Sequence, residues 1–172
     1  MNSARTSTLA TLRGTIGRLE GEPDGLARVG LGHASVDAVL QGGLVRGALH
    51  EVFAEGGRHG AAATGFIAGL AHRLIGRRPL IWVQQDFAQR ESGTLSMSGL
   101  NELGLDPRLL VTVRTKDAET ALRAASDALA CDALGAVVLD VWGEVRALDL
   151  VASRRLTLAA RASHVACLVL RT

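Results

Sequence analysis

Between Leu49 and Arg171 five short apolar strands alternate with amphipathic helices, and few architectures accept that pattern. "LHEVFA" (Leu49–Ala54) leads into a helix over Ala61–Ile75. "PLIWVQ" (Pro79–Gln84) is followed by a loop and a short helix near Ser98–Leu103, and "LLVTVRT" (Leu109–Thr115) by a helix over Asp117–Ala130. "GAVVLDVW" (Gly135–Trp142) precedes a helix over Ala147–Ser163, and "VACLVLR" (Val165–Arg171) closes the series. Helical spacing puts Phe66, Leu70 and Leu74 on one face of the first helix. It aligns Ala118, Ala121, Leu122, Ala125 and Leu129 in the second long helix, and Leu148, Ala152, Leu156 and Ala159 in the third. "GAVVLDVW" is apolar without a break, as a strand covered on both faces must be. The pattern predicts an α/β fold, a three-layer sandwich with a mainly parallel central sheet. The last strand is expected at a sheet edge with no later element to cover it, which suggests a truncated chain or a missing C-terminal extension.

A separate element precedes this core. "STLATLRGTIGRLE" (Ser7–Glu20) spaces Leu9, Leu12, Ile16 and Leu19 as one helical stripe. Gly14 and Gly17 each cost that helix about 1 kcal/mol relative to alanine, so the stripe needs a surface to pack on. Burying its four side chains would contribute on the order of 6–10 kcal/mol before ordering costs. Both a neighbouring protomer and the chain's own core are candidate surfaces. "GEPDG" (Gly21–Gly25) then breaks the helix. The domain reading is an N-terminal helix and linker over 1–24 and one core domain over 25–172.

Charge excludes little. Nineteen basic against seventeen acidic residues give +2, too weak a bias to argue nucleic-acid or membrane binding by itself. The basic set is lopsided, because Lys116 is its only lysine. Cys131 and Cys167 lie far apart in apolar segments and read as reduced core thiols. No secretory signal or membrane-spanning run is visible, so a cytoplasmic protein is expected. His33, His50, His59, His72 and His164 show no metal-ligand spacing, and no metal is expected. No G-x-S-x-G nucleophile elbow occurs.

The strand–turn–helix at "ALHEVFAEGGRHGAAATGFIAGLAHRL" (Ala48–Leu74) is the setting of a phosphate-binding loop. Such a loop reads G-x-x-x-x-G-K-[ST]: its amides cradle phosphate, its lysine neutralises the terminal phosphates and its hydroxyl holds magnesium. Aligned on Gly60, the chain reads Glu55, Gly56, Gly57, Arg58, His59, Gly60, Ala61, Ala62. Ala61 stands in the lysine position and Ala62 in the hydroxyl position, while Glu55 brings a carboxylate to the place of the first glycine. Arg58 precedes the second glycine and should point away from the cradle. Neither a nucleotide cofactor nor hydrolysis is expected, and the groove over Gly56–Gly60 should be filled or too narrow, with Glu55 or Arg58 intruding. Asp140 ends "AVVLD" where a Walker B aspartate would hold magnesium; beside an altered loop, capping a turn is the simpler role. In "VQQDF" (Val83–Phe87), Gln85 falls about where related ATPases carry a water-activating glutamate, and Asp86 reads as a surface carboxylate. The pairs Arg77–Arg78 and Arg154–Arg155 read as solvated helix ends.

"VGLGHASVDAVLQGGLVRGALHEVFA" (Val29–Ala54) resembles the segment that leads into the phosphate loop of RecA-type recombinases, and the order of later elements matches their core. A closer resemblance is to the ImuA family, RecA-like proteins of the bacterial SOS mutagenesis cassette. It rests on "LRGTIGRLEG", "GGLVRGALHEVFA" with its alanine-rich loop, "RPLIWVQQDFAQRE", "GLNELGLDPRLLV" and "VVLDVWGEVRALDLVASRRLTLAARAS". That resemblance implies a non-hydrolysing adaptor in error-prone translesion synthesis, with ImuB and a DnaE-type polymerase as partners. It also suggests that the stripe of Leu9, Leu12, Ile16 and Leu19 serves self-association or a RecA contact. The family's ImuB contact is attributed mainly to a C-terminal tail beyond the equivalent of Thr172. "WGEVRA" (Trp142–Ala147) is too short for a RecA-type DNA loop, so the sequence gives DNA binding no support. A SulA-like division inhibitor and an active RecA/KaiC-like ATPase with an unorthodox loop remain the alternatives.

Overall fold

The computed structural model describes residues 27–172. The stripe of Leu9, Leu12, Ile16 and Leu19, and the boundary after residue 24, lie outside the described residues.

The first described unit is a small clasp. Strand β1 (Arg28–Val29) pairs antiparallel with β2 (Leu44–Val45), and helix α1 (Ala34–Val39) lies between them in sequence. Gly43 makes the close approach feasible: its φ is +115°, and a Cβ there would stand 2.1 Å from the Val29 carbonyl oxygen. Asp37 holds the preceding turn, accepting hydrogen bonds from the Leu31 amide at 2.6 Å and the Gly32 amide at 3.0 Å. Asp37, within the segment that resembles the lead-in to a RecA-type phosphate loop, therefore has a structural task.

The core follows: β3 (Leu49–Phe53), α2 (Gly60–Ile75), β4 (Leu80–Gln85), α3 (Asp86–Ser92), α4 (Met97–Glu102), β5 (Leu110–Thr115), α5 (Ala118–Leu129), β6 (Ala136–Val141), α6 (Leu150–Ser163) and β7 (Ala166–Arg171). The five long strands form one sheet in the order β3-β7-β6-β4-β5, and every pairing in it is parallel. Strand alternation sorts the core into two layers. Leu80, Trp82, Val138, Leu168 and Leu170 pack with Ile67, Ala71 and Leu74 of α2 on one face. Val83, Val137, Leu139, Cys167 and Val169 pack with Ala125 and Leu129 of α5 and Leu156 and Ala160 of α6 on the other. This is the predicted three-layer α/β sandwich. β6 is buried along its whole length, in keeping with its unbroken apolar run.

Several details depart from the sequence reading. The last strand is not an edge: β7 lies between β3 and β6, and the free edges belong to β3 and β5. Periodicity reports which faces are covered but carries no information about lateral order. Phe66 is 53% exposed, because the buried face of α2 runs through Ala63, Ile67, Leu70, Ala71 and Leu74. An additional helix, α3, begins directly after β4 where a loop was expected. The third long helix starts at Leu150, capped by the Asp149 carboxylate on the Ala152 amide, so Leu148 is buried from a loop and not from a helix. Cys131 is exposed while Cys167 is buried, so only one of the two thiols belongs to the core. Burial pushes the Cys167 thiol up to about 12. Arg154 and Arg155 sit in the middle of α6, not at its end.

One contact fixes how α2 meets the sheet. A Cβ on Gly135 would stand 2.5 Å from the Ile75 Cα, so the end of α2 rests on the chain just before β6 at a distance only glycine allows. This contact anchors the helix whose other end borders the candidate site.

Candidate functional site

The C-terminal ends of the parallel strands gather the residues that the sequence marked. The phosphate-loop positions leave β3, and Asp140 lies in β6, two places away across the sheet. The sheet brings these segments to the same rim, where Gly60, Ala61 and Asp140 line one cavity.

The loop has become a lead-in to the helix. A 3-10 turn over Gly57–His59 runs directly into α2. The Gly56 amide donates to the Ala54 carbonyl at 2.9 Å and the His59 amide to the Gly56 carbonyl at 3.1 Å. The Gly60 amide returns to the Gly57 carbonyl. Amides that would face a phosphate are thus engaged within the loop itself. The 3-10 turn carries the positive end of the helix back to Gly57 and Arg58. The Trp142 indole stands beside it, for a Cβ on Gly57 would meet that ring at 3.0 Å, while Gly57 itself stays exposed. Trp142 is itself steadied by Phe87, edge to face with ring centroids 6.3 Å apart. Glu55, Arg58, Ala61 and Ala62 are exposed, and Gly60 is buried against the Thr172 methyl. Lys116 follows β5 at the opposite edge of the sheet and lies 3.7 Å from Asp117.

The expected blockage takes a different form. Glu55 and Arg58 are exposed and do not line the groove; the Trp142 ring approaches the loop at Gly57. Beside it, toward α3 and α4, a cavity of about 240 Å³ remains. Gly60, Ala61 and Thr64 of α2 form one wall, residues Ser92 to Ser96 between α3 and α4 another, and Gln84 and Asp140 the floor. Small side chains at positions 60 and 61 leave this space beside α2.

Asp140 does not cap a turn. It is 5% exposed, lies within β6 and accepts hydrogen bonds from Gln84 Nε2 at 2.9 Å and from Trp82 Nε1 at 3.4 Å. Burial raises its pKa above the ordinary aspartate range, against the opposing pull of the Trp82 and Gln84 hydrogen bonds. Both donors come from β4, where Gln84 stands in register with Asp140. Gln84, and not Gln85, therefore meets the Walker B-like carboxylate. Gln85 falls on the other strand face with Val83, and its Oε1 is buried without a partner, as is Gln89 Oε1. The sequence held the signal: counting by twos from the buried Trp82 selects Gln84. Asp86 pairs with Arg114 at 2.9 Å, a surface ion pair as expected of an exposed carboxylate. Among the described residues no group of three or more histidine, cysteine, aspartate or glutamate side chains is arranged to hold a metal. Nor is any described helix long and apolar enough to cross a membrane.

Two solved structures share this architecture. SulA from Pseudomonas aeruginosa aligns with a TM-score of 0.54 at 21% identity, over 72% of this chain and 96% of its own. The RadB recombinase aligns with a TM-score of 0.54 at 17% identity, over 83% of this chain and 69% of its own. No protein-family model and no curated protein matches the sequence. At these identities the likeness establishes a SulA/RecA-like fold.

Proposed function

We propose that the chain is a non-hydrolysing RecA-like adaptor of error-prone translesion synthesis, of the ImuA type, which serves ImuB and a DnaE-type polymerase. The observation that carries the absence of catalysis is the loop. Ala61 and Ala62 replace the lysine and hydroxyl, the amides of Gly56, His59 and Gly60 are spent on loop carbonyls, and Trp142 lies on Gly57. A triphosphate would meet neither cation nor cradle. The RecA-like fold and the ordered segments that resemble ImuA support the adaptor role.

Two measurements test it. A ligand at a hundred times its dissociation constant stabilises a protein by about 2.7 kcal/mol, so Mg·ATP should shift the melting curve clearly if it binds. No shift is expected, and a shift would revive the ATPase reading. A pull-down against ImuB and against FtsZ separates the two binding readings: capture of ImuB without FtsZ would support the adaptor. Capture of FtsZ alone would favour a SulA-like division inhibitor, a second reading kept because the alignment spans 96% of SulA.

A further inference from the structure

The cavity beside α2 has a charge character opposite to that of a nucleotide site. Asp140 is the single charged side chain in its wall among the described residues. Both hydrogen bonds to Asp140 end on Oδ2, which leaves Oδ1 for the cavity. Gln84 donates through Nε2, so its Oε1 is likewise left as an acceptor. The Thr64 hydroxyl borders the same space, and Leu95, Leu100 and Leu103 line its approach. The first turn of α2 also borders this space through Gly60 and Ala61, with the Gly60 amide already bonded to the Gly57 carbonyl.

We infer that this cavity receives one cationic group, a guanidinium or ammonium on a short apolar stem, with Asp140 Oδ1 as its counter-ion. An anion would face the carboxylate with no compensating charge. A neutral group would leave that carboxylate buried and unpaired, which folded proteins avoid. A guanidinium has five donors and no acceptor, matching a floor that offers acceptors from Asp140, Gln84 and Thr64. Its methylene stem suits the leucines at the approach, since such side chains bury the stem along apolar surface. The cation can arrive as a free small molecule or as an arginine or lysine side chain of a partner; the chemistry at Asp140 is the same. The site's selectivity does not depend on which partner the adaptor serves.

The test titrates the isotope-labelled full chain with n-butylguanidinium, n-butylammonium and the neutral isostere n-butylurea. The Trp82 indole N–H and the Gln84 side-chain amide, both hydrogen-bonded to Asp140, report binding by their NMR shifts. The cations should bind at least about tenfold more tightly than the urea, a difference of about 1.4 kcal/mol. Asp140→Asn should erase that preference. Ala61→Phe, which fills the mouth from an exposed helix position, should block all three ligands without disturbing the fold. N-acetyl-arginine N-methylamide distinguishes the sources: binding as tight as butylguanidinium points to a partner's side chain, and exclusion of the blocked residue points to a free small cation. Equal affinity for cation and urea, or an unchanged preference in Asp140→Asn, would overturn the assignment.

Discussion

The loop after β3 and the pair in the middle of the sheet began as parts of one expected site and have diverged. The loop is exposed, bonds the amides of Gly56, His59 and Gly60 to its own carbonyls and has alanine where phosphate chemistry needs a lysine and a hydroxyl. Asp140, by contrast, is buried, doubly hydrogen-bonded and enclosed by two neighbouring strands. The difference is one of physical coupling. A side chain on an exposed turn can change with small consequence for folding, whereas a carboxylate in a packed strand is tied to Trp82 and Gln84. Removing it would leave their donors without partners. Retention of Asp140 therefore says little by itself about magnesium.

That contrast can be broken in graded steps. Trp82→Ala should hurt most, because the side chain is fully buried and also donates to Asp140; a loss of about 3–5 kcal/mol is expected in chemical denaturation. Asp140→Ala follows, at about 1–3 kcal/mol, as the Gln84 and Trp82 donors lose their acceptor. Asp140→Asn should have the opposite sign at neutral pH. The folded-state pKa of Asp140 is raised by burial above its unfolded value, so the ionised form costs stability above both values, and the cost is recovered as pH falls through the folded pKa. The asparagine variant should thus melt higher than the parent at neutral pH, with the gap closing on acidification. A gap that widens toward acid would contradict a raised pKa. The smallest effect belongs to the loop. Ala61→Lys combined with Ala62→Thr should change stability by less than about 0.5 kcal/mol, since both positions are exposed. It should bring no Mg·ATP-dependent shift, because the Gly56, His59 and Gly60 amides stay bonded to loop carbonyls. A clear shift would show that the side chains alone, and not the loop backbone, exclude the nucleotide.

Much of this molecule was legible in its sequence. The unbroken apolar run of β6 and the stripes of α5 and α6 identified a two-sided core, because burial on one face or two imposes a period on the residues themselves. The loop's departure from the phosphate-loop pattern at Ala61 and Ala62 was equally plain as sequence. What escaped depended on relations between distant segments. That Gln84, and not Gln85, meets Asp140 follows from the register of β4 on β6. The Trp142 ring on Gly57 joins the end of β6 to a turn more than eighty residues earlier. Phe66 was misplaced by a single helical step: both Phe66 and Ile67 are apolar, and only the approach of the sheet selects Ile67.

The placement of β7 bears on how the chain matures. Among the described residues β3 pairs only with β7, yet the two are separated by more than a hundred residues. On the ribosome, the segment around Leu49–Phe53 emerges early and waits without its strand partner until Ala166–Arg171 has cleared the exit tunnel. Until then the nascent polypeptide carries an unmatched hydrogen-bonding ribbon, the condition that invites holdase chaperones and interchain pairing. Translation of the codons for Ala166–Arg171 thus acts as the zipper that locks β3 to the rest of the sheet.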